Sequence, residues 1–228
     1  MRYRFLLFDA DNTILDFDKS EAFALRCALE KFGVEYTEEI LSVYKRNNLK
    51  MWELLEECKV SKEQVLIGRF ELTAEELNLS VDVNALAAEY ERMLHKAYYV
   101  IDGAESLLSK LTCDGFKLYL VSNGVLSIQN SRMKGSGLDR YFVKRFISEE
   151  IGYPKPQIKY FEYCFAHIDG FDKESTLIIG DSLTSDIRGG INAGIDTCWF
   201  NPHQAENRLN LPVTYQISNL QELLKIVY

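Results

Sequence analysis

Five short apolar runs constrain the fold of this chain more than any other feature. Each is rich in β-branched or aromatic residues and ends in a polar or glycine-containing turn. Their apolar character is nearly continuous, which is typical of parallel strands that are covered on both faces. The runs are Arg4–Phe8, Phe116–Val121, Val143–Ile147, Thr176–Ile179 and Asp196–Phe200. They predict an α/β fold with a Rossmann-like parallel sheet as its core.

The stretch between the first two runs has a different character and predicts a separate domain. From Asp16 to Tyr99, helix signals follow one another without a convincing strand. A crossover between parallel strands needs only about a dozen residues or a few more, and this one is several times longer. We interpret residues 16–99 as a helical domain inserted into an α/β domain of residues 1–15 and 100–228.

Helix boundaries are predicted from polar residues at capping-box spacing and from glycine and proline. Gly33 is expected to end a helix, and Pro156 to occupy the first position of another. The capping pairs are Asp18 with Glu21, Ser61 with Gln64, Thr73 with Glu76, and Ser218 with Gln221 before the last helix.

The charge of the chain restricts its partners. A formal net charge of −8 argues against a nucleic-acid polymer or an anionic membrane as main partner, because each requires a basic surface. A small anionic substrate stays compatible, since a metal and a few donors can hold its phosphate. No apolar run approaches the ~20 residues that span a bilayer, and no signal-peptide pattern is found. The five cysteines form no Cys-x-x-Cys pair, so we expect reduced thiols in a cytoplasmic protein.

Polar residues stand directly after the predicted strands. Asp9 and Asp11 follow the first strand, Ser122 and Asn123 the second, and Asp181 the fourth. In an open parallel sheet the carboxyl ends of the strands meet at one crevice, where ligands bind. Topology alone therefore predicts that these distant residues share one site.

The paired acids predict a metal site. Two carboxylates separated by one residue repel each other in a dry environment, and a divalent cation removes that conflict. Magnesium prefers hard oxygen ligands. We expect Mg²⁺ to bind the carboxylates of Asp9 and Asp181 and the backbone carbonyl of Asp11. Asp186 is expected to orient a metal-bound water or Lys155 instead of binding the metal directly.

The same residues suit phosphoryl transfer. Lys155 supplies a cation for the nucleophile and the phosphoryl group, while Ser122, Asn123 and nearby backbone N–H groups suit the phosphate oxygens. Asp9 is expected to attack phosphorus and form an acyl-phosphate. Asp11 is expected to protonate the leaving alkoxide and then to act as general base on the hydrolytic water.

Each signal has an ordinary structural alternative. An aspartate pair is often a turn or a helix cap, Ser-Asn-Gly a plain turn, and Lys-Pro a solvated lysine before a helix. Gly-Asp-Ser can simply begin a helix. Their order and their shared position at strand ends favour one catalytic site over four unrelated turns.

These segments resemble the four motifs of the haloacid dehalogenase superfamily. The matching residues are Asp9–Thr13, Ser122, Lys155 and Gly180–Asp186, in motif order. The resemblance covers essentially the whole chain, and the helical insert stands where a type-1 cap domain is found. It implies a magnesium-dependent phosphoaspartyl mechanism. Dehalogenases of this superfamily lack the second acid, so Asp11 favours a phosphatase or phosphomutase.

A finer resemblance concerns the substrate. The segments Asp9–Asp18, Gly180–Gly194 and Cys198–Pro202 look like those of the pyrimidine 5′-nucleotidase subgroup, sometimes called house-cleaning nucleotidases. This implies hydrolysis of pyrimidine nucleoside monophosphates such as dUMP, dTMP, UMP and non-natural analogues. Gln157 departs from the subgroup, where an acidic residue often follows Lys-Pro.

Other readings remain open at this point. A sugar-phosphate or phosphoglycolate phosphatase, or a phosphomutase, would use the same scaffold. A phosphate-accepting regulatory module would also phosphorylate an aspartate beside magnesium, although receiver domains lack a large helical insert. Among the aromatic residues Phe17, Trp52 and Tyr98, which are either core residues or base-stacking ones, Phe17 is our candidate for substrate contact because it follows the catalytic turn. The pair Gly189-Gly190 indicates either close helix packing or a poorly formed helix.

Overall fold

The computed structural model describes residues 2–228, which form two compact units. The first comprises residues 2–16 and Tyr99–Tyr228, and the second is Phe17–Tyr98. Asp16 and Tyr99, at the ends of the predicted insert, both belong to the first unit, where the N–H of Asp16 donates to the carbonyl of Tyr99 at 2.9 Å. Among the described residues, no helix has the length and apolarity required to cross a membrane.

The first unit is built on a six-stranded sheet in which every neighbouring pair is parallel, and this confirms the predicted fold class. The strands are β1 (Phe5–Asp9), β2 (Lys117–Ser122), β3 (Lys144–Ile147), β4 (Thr176–Gly180), β5 (Asp196–Phe200) and β6 (Tyr215–Ile217). Their order across the sheet is β3-β2-β1-β4-β5-β6. The sequence did not predict β6, because this strand is three residues long and buries only Ile217.

The described residues also form ten α-helices, besides three short 3-10 helices and one π-helical turn. The α-helices are α1 (Phe17–Lys31), α2 (Glu38–Glu56), α3 (Lys62–Glu76), α4 (Val83–Leu94), α5 (Ala104–Cys113), α6 (Leu126–Ser136), α7 (Ser148–Ile151), α8 (Ile158–Ala166), α9 (Arg188–Ala193) and α10 (Leu223–Val227). The first four form the second unit, where α1 packs against α4, α2 against α3, and α3 against α4.

The core of the first unit lies on both faces of the sheet. Leu6 and Phe8 belong to the cluster that includes the apolar side chains of α5, whereas Phe5 and Leu7 belong to the cluster that includes those of α8. Burying an aliphatic or aromatic side chain stabilises the fold by about 1.5–3 kcal/mol. Since β1 is buried along its whole length, its apolar run fixes the position of the residues that follow it.

Two predicted helix boundaries in the second unit are confirmed. Ser61 caps α3 through a capping box: its hydroxyl accepts from the N–H of Gln64 at 3.3 Å, and the side chain of Gln64 accepts from the N–H of Ser61 at 2.8 Å. Gly33 follows the end of α1 and has a φ of 72°, a conformation that glycine adopts without strain.

Two other predicted helix starts are wrong. Thr73 lies inside α3, where its hydroxyl donates to the carbonyl of Arg69 at 2.7 Å. This bond to the preceding turn satisfies a threonine hydroxyl within a helix, so a cap-like pattern need not begin one. Asp18 lies in the first turn of α1, because the helix already begins at Phe17.

Two predictions in the first unit are wrong by one or two residues. Pro156 is not the first residue of α8, which begins at Ile158 with Gln157 as its N-cap. The cap before the final helical segment is formed by Asn219 with Glu222 instead of Ser218 with Gln221. Serine and asparagine both accept hydrogen bonds from helix N–H groups, so adjacent candidates cannot be separated by type alone.

Candidate active site

Three of the predicted site residues lie at the carboxyl ends of the central strands, at one edge of the sheet. Asp9 is the last residue of β1, Ser122 is the last of β2, and Asp181 directly follows β4. Because β1 lies between β2 and β4, the three residues come from neighbouring strands. The connections diverge on the two sides of β1, which makes this the switch point where ligands bind in such sheets.

Lys155 is the charged centre of the site and is 1% exposed. Its Nζ atom donates to Asp9 Oδ1 at 2.6 Å, to Asp186 Oδ1 at 2.6 Å and to the carbonyl of Val121 at 3.0 Å. These three bonds account for the three protons of an ammonium group. Burial disfavours the charged form, but the carboxylates of Asp186 and Asp9 outweigh it and raise the pKa of Lys155 above its ordinary value.

Asn123 holds the backbone of Lys155. Its Nδ2 donates to the carbonyl of Lys155 at 2.9 Å, and its Oδ1 accepts from the N–H of Lys155 at 2.8 Å. The side chain predicted to contact phosphate is thus engaged in fixing the lysine. This pairing joins residues 32 positions apart, and no local sequence pattern indicates a contact across that separation.

Three carboxylates form the acidic part of the site. One oxygen from each of Asp9, Asp181 and Asp186 lies within 4.8 Å of the others. Burial raises the pKa of Asp9 to about 8, with Lys155 opposing the shift and Asp186 and Asp11 adding to it. Burial, together with the charges of Asp9 and Asp186, also raises the pKa of Asp181 well above its ordinary value. Clustered carboxylates that face one ammonium group, with hard oxygen donors, fit a magnesium ion.

The cluster of carboxylates includes Asp186 beside the predicted ligands Asp9 and Asp181. The sequence predicts that Asp186 orients a metal-bound water or Lys155. Asp186 is fully buried and is one of the three clustered carboxylates. Its Oδ1 accepts from Lys155, and its Oδ2 accepts from the N–H of Ser182 at 3.2 Å. A side chain on Gly180 would overlap the Asp186 carboxylate, so the glycine makes room for it. Trp199 fixes the neighbouring backbone by donating from Nε1 to the carbonyl of Asp181 at 2.8 Å.

The Asp11 side chain turns toward helix α6. Asp11 Oδ1 forms an ion pair with Arg132, and Asp11 Oδ2 accepts from Gln129 Nε2 at 2.6 Å. The same Gln129 nitrogen donates to Ser122 Oγ at 3.0 Å, which also accepts from the N–H of Gly124 at 3.0 Å. The carboxylate of Asp11 is thus held by α6 and is not one of the three clustered carboxylates. Metal binding through the backbone carbonyl of Asp11 stays a prediction.

Sequence reasoning missed Gln129 and Arg132. Both lie on α6, three residues apart and hence on one helix face, and α6 follows the strand that ends at Ser122. Arg132 is fully buried, which is unusual for arginine unless it is paired. The available signal was a helix that begins next to a predicted phosphate-binding turn and carries polar residues at that spacing.

The aromatic candidates lie in the second unit. Phe17 is the first residue of α1, Trp52 lies on α2 and donates from Nε1 to Asn48 Oδ1 at 3.1 Å, and Tyr98 is 44% exposed. Contact of Phe17 with a substrate stays a prediction.

Comparison with known proteins identifies relatives along the whole chain. Residues 6–200 match the sequence model of the family Haloacid dehalogenase-like hydrolase. The chain is 43% identical over 226 residues to the HAD hydrolase YfnB of Bacillus subtilis (strain 168), covering 99% of this chain and 96% of YfnB. It is 41% identical to the pyrimidine 5′-nucleotidase PynA of Streptococcus pneumoniae, covering 98% and 94% of the two chains. It is 33% identical to the pyrimidine 5′-nucleotidase YjjG of Escherichia coli, covering 100% and 99%.

The fold agrees with a solved structure of one of these relatives. The crystal structure of Bacillus subtilis YfnB bound to magnesium superposes with a TM-score of 0.94 at 43% identity, covering 100% of this chain and 99% of that one.

Proposed function

The chain belongs to the haloacid dehalogenase-like hydrolase family and is a phosphoric monoester hydrolase, and we propose that it is a magnesium-dependent 5′-nucleotidase acting on pyrimidine nucleoside monophosphates. The observation that carries the proposal is the buried contact of Lys155 with both Asp9 and Asp186 at the switch point of the sheet. The substrate class is supported by the relatives PynA and YjjG, both pyrimidine 5′-nucleotidases.

Asp9 is the proposed nucleophile. Lys155 orients its carboxylate through Oδ1 and places positive charge where the phosphoryl group is transferred. Asp186 and Asn123 in turn fix the lysine, one at its ammonium group and the other at its backbone. As the Asp9 oxygen bonds to phosphorus, the bond from phosphorus to the substrate's 5′ oxygen breaks.

Asp11 is the proposed general acid and base. It gives its proton to the departing 5′ oxygen, which leaves as the nucleoside alcohol. A water molecule then attacks the phosphorus of phospho-Asp9 and returns a proton to Asp11. The bond between phosphorus and Asp9 breaks, so that inorganic phosphate is released and both carboxyl groups are restored.

The remaining groups bind the phosphate and a metal. We assign the phosphate oxygens to Ser122 and to the backbone N–H groups that follow it. Asp9 and Asp181, with the backbone carbonyl of Asp11, would hold magnesium, and Asp186 lies beside them. Magnesium, when bound, supplies positive charge that offsets the charge of the phosphoryl oxygens.

A panel of phosphomonoesters tests the proposal. The purified protein should release phosphate from dUMP, dTMP or UMP with magnesium present and lose this activity with a chelator. Asp9→Asn should abolish turnover, whereas Asp102→Asn, a change of the same type at an exposed position of the first unit, should leave it unchanged.

Each alternative gives a different result. Full turnover by Asp9→Asn would show that another group is the nucleophile. A clear preference for hexose phosphates or phosphoglycolate would contradict the nucleotidase proposal. A phospho-Asp9 that survives for minutes without turnover would indicate a regulatory module.

A further inference from the structure

We propose that Gln129 and Arg132 are positioning residues that hold the Asp11 carboxylate in the orientation needed for proton transfer. This inference rests on the proposed function, in which Asp11 serves the leaving oxygen and the hydrolytic water. It assigns to helix α6, which follows the strand that ends at Ser122, a part in catalysis of its own.

The two side chains hold Asp11 at two points. Arg132 contacts Oδ1 and Gln129 Nε2 contacts Oδ2 at 2.6 Å. A single donor would leave the carboxylate free to rotate about that bond, whereas donors to both oxygens fix the plane of the group. The two holders are also linked, since Arg132 Nη1 donates to Gln129 Oε1 at 3.4 Å.

Arg132 is more deeply buried than Asp11, and this difference suits a residue that positions a catalytic carboxylate. The Arg132 side chain is fully buried, whereas the Asp11 side chain keeps 29% exposure. A buried guanidinium group requires a compensating charge, and the carboxylate of Asp11 supplies it to Arg132. The exposed part of Asp11 stays accessible to a substrate. Each carboxylate oxygen has two acceptor sites, so one donor on each leaves room for a leaving oxygen or a water molecule.

Gln129 also connects Asp11, the proposed acid/base residue, to Ser122, the proposed phosphate-binding residue. Its Nε2 atom carries two protons and donates to both Asp11 Oδ2 and Ser122 Oγ. One amide group therefore fixes the distance between the acid/base residue and the proposed phosphate-binding serine. Space for this amide depends on Gly124, because a Cβ there would lie 2.5 Å from Gln129 Nε2.

Leaving-group dependence tests the role directly. Arg132→Met and Gln129→Leu remove one holder each, and Arg132→Lys keeps the charge. Arg140→Met is the matched control, because Arg140 pairs with Glu105 on the surface of the same unit. Each variant is assayed on p-nitrophenyl phosphate, whose nitrophenolate leaves without a proton, and on the alkyl phosphomonoester that the unmodified protein hydrolyses best.

The expected result is a selective defect. For Arg132→Met and Gln129→Leu, kcat/KM on the alkyl ester should fall about 100-fold, the scale of general acid catalysis. On the aryl ester the loss should be at least about 30-fold smaller, because the nitrophenolate needs no proton from Asp11. Any loss that Gln129→Leu causes through Ser122 should be equal on both esters. Stopped-flow mixing with the aryl ester should show a burst of nitrophenolate, because hydrolysis of phospho-Asp9 is slowed. Arg132→Lys should recover part of the lost activity, and Arg140→Met should match the unmodified protein.

Two outcomes would overturn the inference. An equal loss on both esters would show that the residues only maintain the fold, and no loss on either would show that the contacts are dispensable. Gln129→Leu keeps the buried ion pair of Arg132 with Asp11. Its activity on the two esters therefore tests the inference even if Arg132→Met does not fold. Failure of the proposed function would look different, since the unmodified protein would then lack magnesium-dependent turnover of phosphomonoesters.

Discussion

Lys155 donates a 2.6 Å hydrogen bond to Asp9, a residue 146 positions earlier in the chain, and both are buried. A parallel sheet brings them together, because Asp9 ends the central strand β1 and Lys155 lies in the loop that leads into α8. The same ammonium group contacts Asp186. Lys155 therefore compensates two buried carboxylates at once, and its loss should affect stability as well as catalysis.

Replacing Lys155 with methionine should produce both effects. Turnover should fall at least about 100-fold, because a positive charge is removed from the site of phosphoryl transfer. In the metal-free protein the free energy of unfolding should fall by about 3–5 kcal/mol, since two buried carboxylates lose their partner. Chemical denaturation with and without magnesium measures this, and magnesium should restore part of the stability. Lys117→Met, at an exposed position on β2, is the control, and equal behaviour of the two variants would contradict the assigned role.

Magnesium affinity should increase with pH. Burial raises the pKa of Asp9 to about 8 in the metal-free site, with Lys155 opposing and Asp186 and Asp11 adding to the shift. Metal binding requires the ionised carboxylate, so protons must leave when magnesium binds. Affinity should therefore rise between about pH 6 and about pH 8, and titration calorimetry in buffers of different ionisation enthalpy should detect proton release. Affinity that is constant across this range would exclude Asp9 as a titrating ligand.

Glu21 in the second unit should make stability depend on pH. Burial raises its pKa from 4.5 to about 7, although Lys45 and Arg69 oppose the shift, while Asp18 adds to it. Because the folded pKa is the higher one, the contribution of Glu21 is fully present below pH 4.5 and is lost as pH rises through about 7.

Glu21→Gln removes this dependence. Glutamine is neutral at every pH and can still accept the hydrogen bond that Asn48 Nδ2 donates at 2.9 Å. The variant should exceed the unmodified protein in unfolding free energy by up to about 3 kcal/mol above pH 7, and by little below about pH 5. Denaturation series across this range measure the difference. Glu75→Gln, at an exposed position of α3, should show no such crossover, and a pH-independent effect of Glu21→Gln would refute the shift.

Two glycine substitutions should separate damage to the site from damage to the core. Gly180→Ala would push a methyl group into the Asp186 carboxylate, so we expect turnover to fall at least about tenfold through the loss of lysine positioning. Gly190→Ala would place a methyl group 2.6 Å from side-chain carbons of Ile178 and Thr197. That overpacking should cost about 1–3 kcal/mol of stability while the folded protein keeps its turnover. Thermal denaturation and steady-state kinetics on both variants distinguish the effects, and a selective kinetic defect in Gly190→Ala would contradict this division.

The pair Gly189-Gly190 was compatible with close helix packing or with a poorly formed helix, and the same contacts favour close packing. Gly189 leaves room for the Phe161 ring, and Gly190 for side chains of the sheet. Close packing of α9 is therefore observed, even though the helix is only six residues long.

The sequence by itself determined five of the six strands, their parallel sense and the meeting of the motifs at one edge. Near-continuous apolar runs can be buried only between two helical layers, and the carboxyl ends of parallel strands share one edge. Asp9, Ser122 and Asp181 were therefore expected at one edge of the sheet, and the strand order β2-β1-β4 makes them neighbours there. Local patterns predicted helix boundaries less reliably. Thr73 has the pattern of a helix N-cap, but it lies within α3.

Only the tertiary structure decided which side chains hold the reactive groups. Arg132 and Gln129 contact Asp11 across 121 and 118 positions of sequence. The side chain of Asn123 forms hydrogen bonds with the backbone of Lys155. Such contacts depend on the rotamer of each side chain and on how deeply its helix is buried. Spacing can place Gln129 and Arg132 on one face of a helix, but it does not tell whether that face meets water or a buried partner.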